Sequence, residues 1–223
     1  MGDKTYSGQD IDVTFDLRRC IHVAECGKRL KQVFDTSKRP WAQPDNADAD
    51  TVAAVIEHCP SGALKYIRHD GQVEQPTDTN TIVITEGGEY RVKGTIQLTK
   101  MDGEIIAEES RLTLCRCGES VNKPFCDNSH RKARFTAEST VHDNSAETAT
   151  FEATGPLTIV MAPGPLLLQG NFEIQHQNGS EIFRGEKTAL CRCGESANKP
   201  FCDGIHKTNG FYDKNGLCTK FNR

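Results

Sequence analysis

The pattern C-x-C-G-E-S-x-N-K-P-F-C-D-x-x-H occurs twice in this chain, at Cys115–His130 and at Cys191–His206, offset by 76 residues. Thirteen of its 16 residues are identical between the copies. The register continues upstream without a gap: Gly94 falls on Gly170, Asp102-Gly103 on Asn178-Gly179, and Ile82-Val83-Ile84 on Thr158-Ile159-Val160. A basic residue follows each histidine, Arg131 in one copy and Lys207 in the other. The second half of the chain is therefore an internal duplication. One repeat carries too little apolar surface to form a core alone. The two are expected to pack within one chain as a pseudo-twofold pair, one sheet against the other, so that the protein is a monomer holding an intramolecular pseudo-dimer.

Each repeat reads as β structure leading into a cysteine loop. Ile82–Thr85, Tyr90–Leu98 and Ile105–Leu114 alternate apolar and polar residues around the turns Gly87-Gly88 and Asp102-Gly103. Their partners are Leu157–Met161, Leu166–Ile174 and Ile182–Leu190. The N-terminal segment differs. Asp10–Asp16 alternates like a short strand, Ala24–Phe34 spaces Leu30, Val33 and Phe34 as a helix would, and Asp48–Glu57 does the same with Asp48 or Asp50 as N-cap. A turn at Cys59–Leu64 leads to a strand at Lys65–Arg68, and the polar stretch Arg68–Thr81 reads as a linker. The expected fold class is α+β, with a small α+β module at 1–75 and mostly β repeats at 76–150 and 151–223.

Ten cysteines require an explanation, and nine of them cluster, which in a reducing compartment points to metal or redox chemistry rather than disulfides. In each repeat three thiols and one imidazole converge. Cys115 and Cys117 flank one residue, Pro124 stiffens the return, and Asp127 reads as an N-cap that puts Cys126 and His130 together at a helix start. Such ligands suit an iron–sulfur cluster or zinc. Paired zinc ligands are usually two to four residues apart; the single intervening residue here favours a cluster, with structural zinc as the alternative. Cys218 and the histidines at 58, 69, 142 and 176 have no such spacing and receive no role.

The residues C-x-C-x2-S-x3-P-x-C-D-x-x-H resemble the CDGSH iron–sulfur domain of mitoNEET type, over about residues 80–215. The resemblance implies a [2Fe–2S] cluster with Cys115 and Cys117 on one iron and Cys126 and His130 on the other. Cys191, Cys193, Cys202 and His206 take the same roles in the second repeat. It also implies that Ser120 and Ser196, with Asp127 and Asp203, orient the ligands. The copies depart from the family name: Asn128 replaces Gly in the first, and Ile205 replaces Ser in the second. Asn tolerates a left-handed backbone, whereas Ile205 lacks a hydroxyl near the helix start, so the two sites need not share one potential.

Cys20-Ile21-His22-Val23-Ala24-Glu25-Cys26, followed by Cys59-Pro60, resembles a divergent single-cluster ferredoxin in which Val23 stands at the second cysteine position. Three thiolates suit a [3Fe–4S] cluster, or a [4Fe–4S] cluster completed by His22 or an exogenous group. Trp41, the sole tryptophan, is expected to pack inside this module.

A net charge of −4 with scattered Lys and Arg argues against nucleic acid and reads as a solvated surface. A mean hydropathy of −0.57 with no run near ~20 apolar residues argues against a membrane, and the polar N-terminus against a targeting peptide. The expectation is a cytoplasmic, non-enzymatic carrier of single electrons that meets a redox partner. The alternative is a cluster-transfer or redox- and pH-sensing module that meets an acceptor protein.

Overall fold

The computed structural model describes residues 3–138, 155–179 and 182–211. Cys218, His142 and the expected repeat junction at 150/151 lie outside the described residues. The chain divides into two compact units, Met1–Gln75 and Pro76–Arg223. The fold is mixed, with sheets dominating.

In the first unit β1 (Lys4–Tyr6), β2 (Ile11–Phe15) and β3 (Leu64–Arg68) form an antiparallel sheet in the order β1-β2-β3. Two helices accompany it, α1 (Glu25–Arg29) and α2 (Ala49–Ile56). Asp48 caps α2 by accepting the Thr51 amide at 2.8 Å. That places Val52, Ala53 and Ile56 in a core with Val13, Phe34 and Leu64. Trp41 packs edge-on against Tyr6 and Phe15, with ring centroids 5.7 and 5.0 Å away.

The helix expected over Ala24–Phe34 is much shorter. Ala24 sits in the left-handed region at φ 60°, and the chain leaves α1 at Leu30, where φ is −144°. Gly27 weakens the segment as a helix. Leu30, Val33 and Phe34 are still buried, held on a tight turn in which Val33 and Phe34 amides donate to the Leu30 carbonyl. Tertiary burial, rather than a helical face, explains their spacing.

In the second unit β4 (Thr81–Ile84), β5 (Tyr90–Lys100) and β6 (Ile105–Leu114) come from the first repeat. β7 (Leu157–Met161), β8 (Leu166–His176) and β9 (Ile182–Leu190) come from the second. The repeats do not stack as one sheet upon another; their strands interleave in a single six-stranded sheet. β4 pairs antiparallel with its own β5 and parallel with β8 of the other repeat. β7 likewise pairs antiparallel with β8 and parallel with β5. β6 and β9 complete the arrangement against β5 and β8.

The exchange is possible because β5 and β8 change partner midway. Their register breaks between Lys93 and Ile96 and between Gln169 and Phe172, and at each break a glycine takes positive φ, Gly94 at 135° and Gly170 at 108°. A Cβ on Gly94 would lie 2.2 Å from Asn80 Oδ1. Asn80 locks the crossing by accepting the Thr95 amide and donating to the Gly155 and Asn171 carbonyls. The enclosed core joins both repeats, including Ile82, Val92 and Leu98 with Ile159, Leu168 and Phe172.

Candidate metal centres

Each cysteine loop is pinned at the end of its strand. After β6, Leu114 bridges Phe125, the Cys115 amide donates to the Pro124 carbonyl at 2.8 Å, and the Cys126 amide donates to Thr113 at 3.1 Å. The second loop repeats this with Leu190 and Phe201, Cys191 and Pro200, and Cys202 and Ala189. These bonds bring the last cysteine beside the first two. Gly118 and Gly194, both at φ 82°, then turn the chain so that amides face the sulfurs. Glu119 N–H donates to Cys117 Sγ and Asn128 N–H to Cys126 Sγ, each at 3.4 Å.

Ser120 and Ser196 close the loops: their hydroxyls donate to the Phe125 and Phe201 carbonyls at 2.7 and 2.6 Å. Asp127 accepts the Val121 and Ser129 amides, and Asp203 accepts those of Ala197 and Ile205, all between 2.8 and 3.0 Å. Asp127 is not itself the N-cap of α3 (Ser129–Lys132). Asn128 occupies that position with φ 69°, and Gly204 does so in the second repeat with φ 88°. The outcome for the ligands is the one the N-cap reading sought, because His130 and His206 both turn Nδ1 toward the preceding cysteine.

In the first loop Cys115 Sγ and Cys117 Sγ are 3.9 Å apart, and Cys126 Sγ is 3.5 Å from His130 Nδ1. In the second the distances are 3.7 and 3.3 Å. A tetrahedral metal with thiolate bonds of about 2.3 Å and imidazole bonds of about 2.0–2.1 Å spaces two sulfurs by roughly 3.8 Å and sulfur from nitrogen by roughly 3.5 Å. Each pair thus fits one metal ion. A single zinc would draw all four donor atoms equally close. Among the described residues, the one trio of His, Cys, Asp or Glu with donor atoms all within 4.8 Å is Glu89–Cys126–His130. No such trio among the described residues joins a Cys–Cys pair to its Cys–His pair.

Burial and mutual hydrogen bonds set the protonation of the thiols and imidazoles. Within each cysteine pair one thiol is lowered by the hydrogen bond from its neighbour, Cys115 and Cys193 to about 6, while the donors Cys117 and Cys191 are raised. Burial pushes Cys126 up to about 12. Burial also lowers both histidines, so they present neutral imidazoles, the form that binds metal.

Several residues at these sites escaped the sequence reading. Arg116 and Arg192, each between the paired cysteines, are buried and not part of a solvated surface. The Arg116 guanidinium donates to the carbonyls of Thr85, Ala137 and Glu138 and stacks on Tyr90 and Phe135. Arg192 donates to Ala162, Pro163 and Gly164 and stacks on Phe211. The signal was present: the same arginine occupies both copies, with a phenylalanine five residues after each histidine. Tyr90 reaches from the first repeat to the second loop, donating to the carbonyls of Cys191 at 2.8 Å and Pro200 at 3.1 Å.

The two loops also meet. A Cβ on Gly118 would lie 2.4 Å from the Cys193 carbonyl oxygen, and one on Gly194 would lie 2.4 Å from that of Cys117.

In the first unit Cys20, Cys26 and Cys59 line one cavity of about 580 Å³ together with His22, Phe34 and Trp41. None of the three is in a disulfide, all are half-buried, and burial raises Cys20 and Cys26. Positive φ at His22 (52°) and Ala24 (60°) wraps the Cys20–Cys26 segment. His22 Nδ1 lies 3.7 Å from Cys20 Sγ.

Residues 6–69 match the family described as divergent 4Fe-4S mono-cluster. Residues 87–131 and 163–207 each match the family described as iron-binding zinc finger, CDGSH type. The N-terminal part is 44% identical over 68 residues to "Uncharacterized protein YjdI" of Escherichia coli (strain K12), covering 30% of this chain and 88% of that protein. The protein of the same name from Escherichia coli O157:H7 gives the same figures. No solved structure matches the chain.

Proposed function

We propose that this chain, which belongs to the CDGSH iron-binding family and carries a divergent 4Fe–4S mono-cluster domain ahead of its two CDGSH domains, is a non-enzymatic carrier of single electrons. In this reading Cys115, Cys117, Cys126 and His130 hold one [2Fe–2S] cluster, and Cys191, Cys193, Cys202 and His206 hold a second. The clusters supply one-electron redox chemistry when bound. The observation that carries the reading is the contact between Gly118 and Cys193 and between Gly194 and Cys117, which sets the two ligand loops back to back inside one rigid sheet.

The protein's own contribution is preorganisation. Pinned loops fix the donors in pairs, backbone amides face the sulfurs, and Arg116 and Arg192 brace the backbone behind them. At the N-terminal cavity Cys20, Cys26 and Cys59 would hold a third cluster. The family description favours [4Fe–4S], with an exogenous group or His22 at the fourth corner; the three thiols also suffice for [3Fe–4S]. The protein is read as a cytoplasmic monomer serving an external redox partner.

A cluster-transfer module is the second reading, favoured by the neutral and therefore replaceable imidazole in each set of ligands. Iron and acid-labile sulfide analysis of the purified chain, followed by anaerobic titration with a one-electron reductant, tests both. Reversible reduction at about four irons in the CDGSH pair supports the carrier. Release of those irons to an apo-acceptor faster than reduction would favour transfer, and stoichiometric zinc without sulfide would end both.

A further inference from the structure

The duplication invites the assumption that the two CDGSH sites are equivalent. Two differences in their surroundings contradict it, and both act in the same direction.

The first concerns the far side of the histidine ring. His130 turns Nδ1 to Cys126 and Nε2 to a carboxylate: Glu89 Oε2 lies 3.8 Å away, with both side chains buried. Glu89 directly precedes β5, and Arg91 holds its other oxygen at 2.8 Å. The equivalent residue before β8 is Pro165. At the second site, the ring of His206 lies instead against Gly164, where an added Cβ would fall 2.3 Å from Nε2. The other charges facing His130 are Asp127 and Arg131; those facing His206 are Asp203, Lys207 and Arg192. The first site therefore carries a buried carboxylate beside its histidine, braced by Arg91, that the second site lacks.

The second difference concerns the carboxylate two residues after the paired cysteines. Asn209 is fixed by accepting the Phe211 amide at its Oδ1, and its Nδ2 donates to Glu195 at 2.9 Å, which tempers that carboxylate's charge two residues from Cys193. Its counterpart is Ala133, which has no such group. Donors to cluster sulfurs and positive charge ease reduction, whereas negative charge opposes it.

We propose that the two CDGSH centres are electronically unequal, with Glu89 lowering the potential of the first and Asn209 raising that of the second. An electron from an added reductant such as dithionite then settles at the second site first, with no bond made or broken. Glu89 and Asn209 are positioning residues that act through His130 and Glu195. The inference rests on the electron-carrier reading and gives it a direction.

The test is anaerobic spectroelectrochemical titration of the reconstituted full-length chain at a single pH, with iron, sulfide and circular dichroism measured on every variant. Two one-electron waves are expected from the CDGSH pair, and a Cys59→Ser background removes any further wave from the N-terminal centre. Glu89→Gln should raise the lower wave and leave the upper in place, and Glu89→Asp should restore the lower wave toward its original position. Asn209→Ala should lower the upper wave alone, and the double variant should show the narrowest gap. If Glu89→Gln fails to fold or load, Asn209→Ala decides by itself. Superposed waves in the natural chain, or variants that move both waves together or neither, overturn the proposal. Absence of labile sulfide or of reduction would instead remove the electron-carrier reading, and this inference with it.

Discussion

Gly118 rests directly on the carbonyl oxygen of Cys193, so closely that a Cβ would sit 2.4 Å from it. Its φ of 82° also lies where side chains other than glycine's are disfavoured. Gly118→Ala should therefore cost at least about 1–2 kcal/mol from backbone conformation alone, with steric overlap added. Because the contact is reciprocal, iron content should fall at both CDGSH sites, although the substitution lies in one. Iron and sulfide per chain, with thermal melting, would check this; loss confined to the first site would refute it.

Tyr90 donates its hydroxyl across the repeats to two buried carbonyls of the second loop. Tyr90→Phe keeps the ring and its packing but removes the hydroxyl donor to the Cys191 carbonyl, a cost of about 1–3 kcal/mol, while Pro200 keeps the Cys191 amide. The urea midpoint should drop, and loss of iron from the protein should quicken at the second site. An unchanged midpoint would show that water takes over the hydroxyl's role.

The first unit carries a pH-dependent ion pair. Hydrogen bonds from Arg68 hold Asp70 down to about 2, while an unfolded aspartate titrates near 3.9. A carboxylate depressed in the folded state adds stability that is complete above the unfolded value and disappears as pH falls from about 4 toward 2. Asp70→Asn should flatten the acid dependence of stability in that window and leave its slope at neutral pH alone. Denaturation midpoints at stepped pH values would measure it.

Cys59→Ser removes one of three thiols around the N-terminal cavity. The full-length variant should lose about three or four irons together with any three-iron EPR signal, while the CDGSH pair keeps its own absorbance. Equal loss of colour across all centres would contradict that separation.

Much of the second unit was legible because its residues report on local geometry. Alternation at Ile105–Leu114 and Leu157–Met161 gave those strands with their observed ends, whereas the glycines at 94 and 170 served only to align the repeats, and their part in bending the ladder is visible only in the fold. The parallel pairing of Ile82 with Ile174 was not legible, since nothing local encodes which repeat supplies a strand's second neighbour. Around the sites, cysteine and histidine spacing picked out side chains that the fold brings together. Glu89 and Asn209 break the repeat, and a reading built on what the copies share passes over them. Arg116 was repeated but was taken for a surface charge, because composition does not reveal that three backbone carbonyls await its guanidinium.

The interleaving of β4 and β7 has a consequence for dissection of the gene. A piece holding only residues 76–138 would carry β5 with half its length unpartnered and β4 with one bare edge, both of which the other repeat normally covers. Such a piece would recover those bonds by embracing a second copy of itself, the present chain being two such molecules joined by a tether. Proteolysis between the repeats should accordingly leave both products travelling together on a sizing column until denaturant is added.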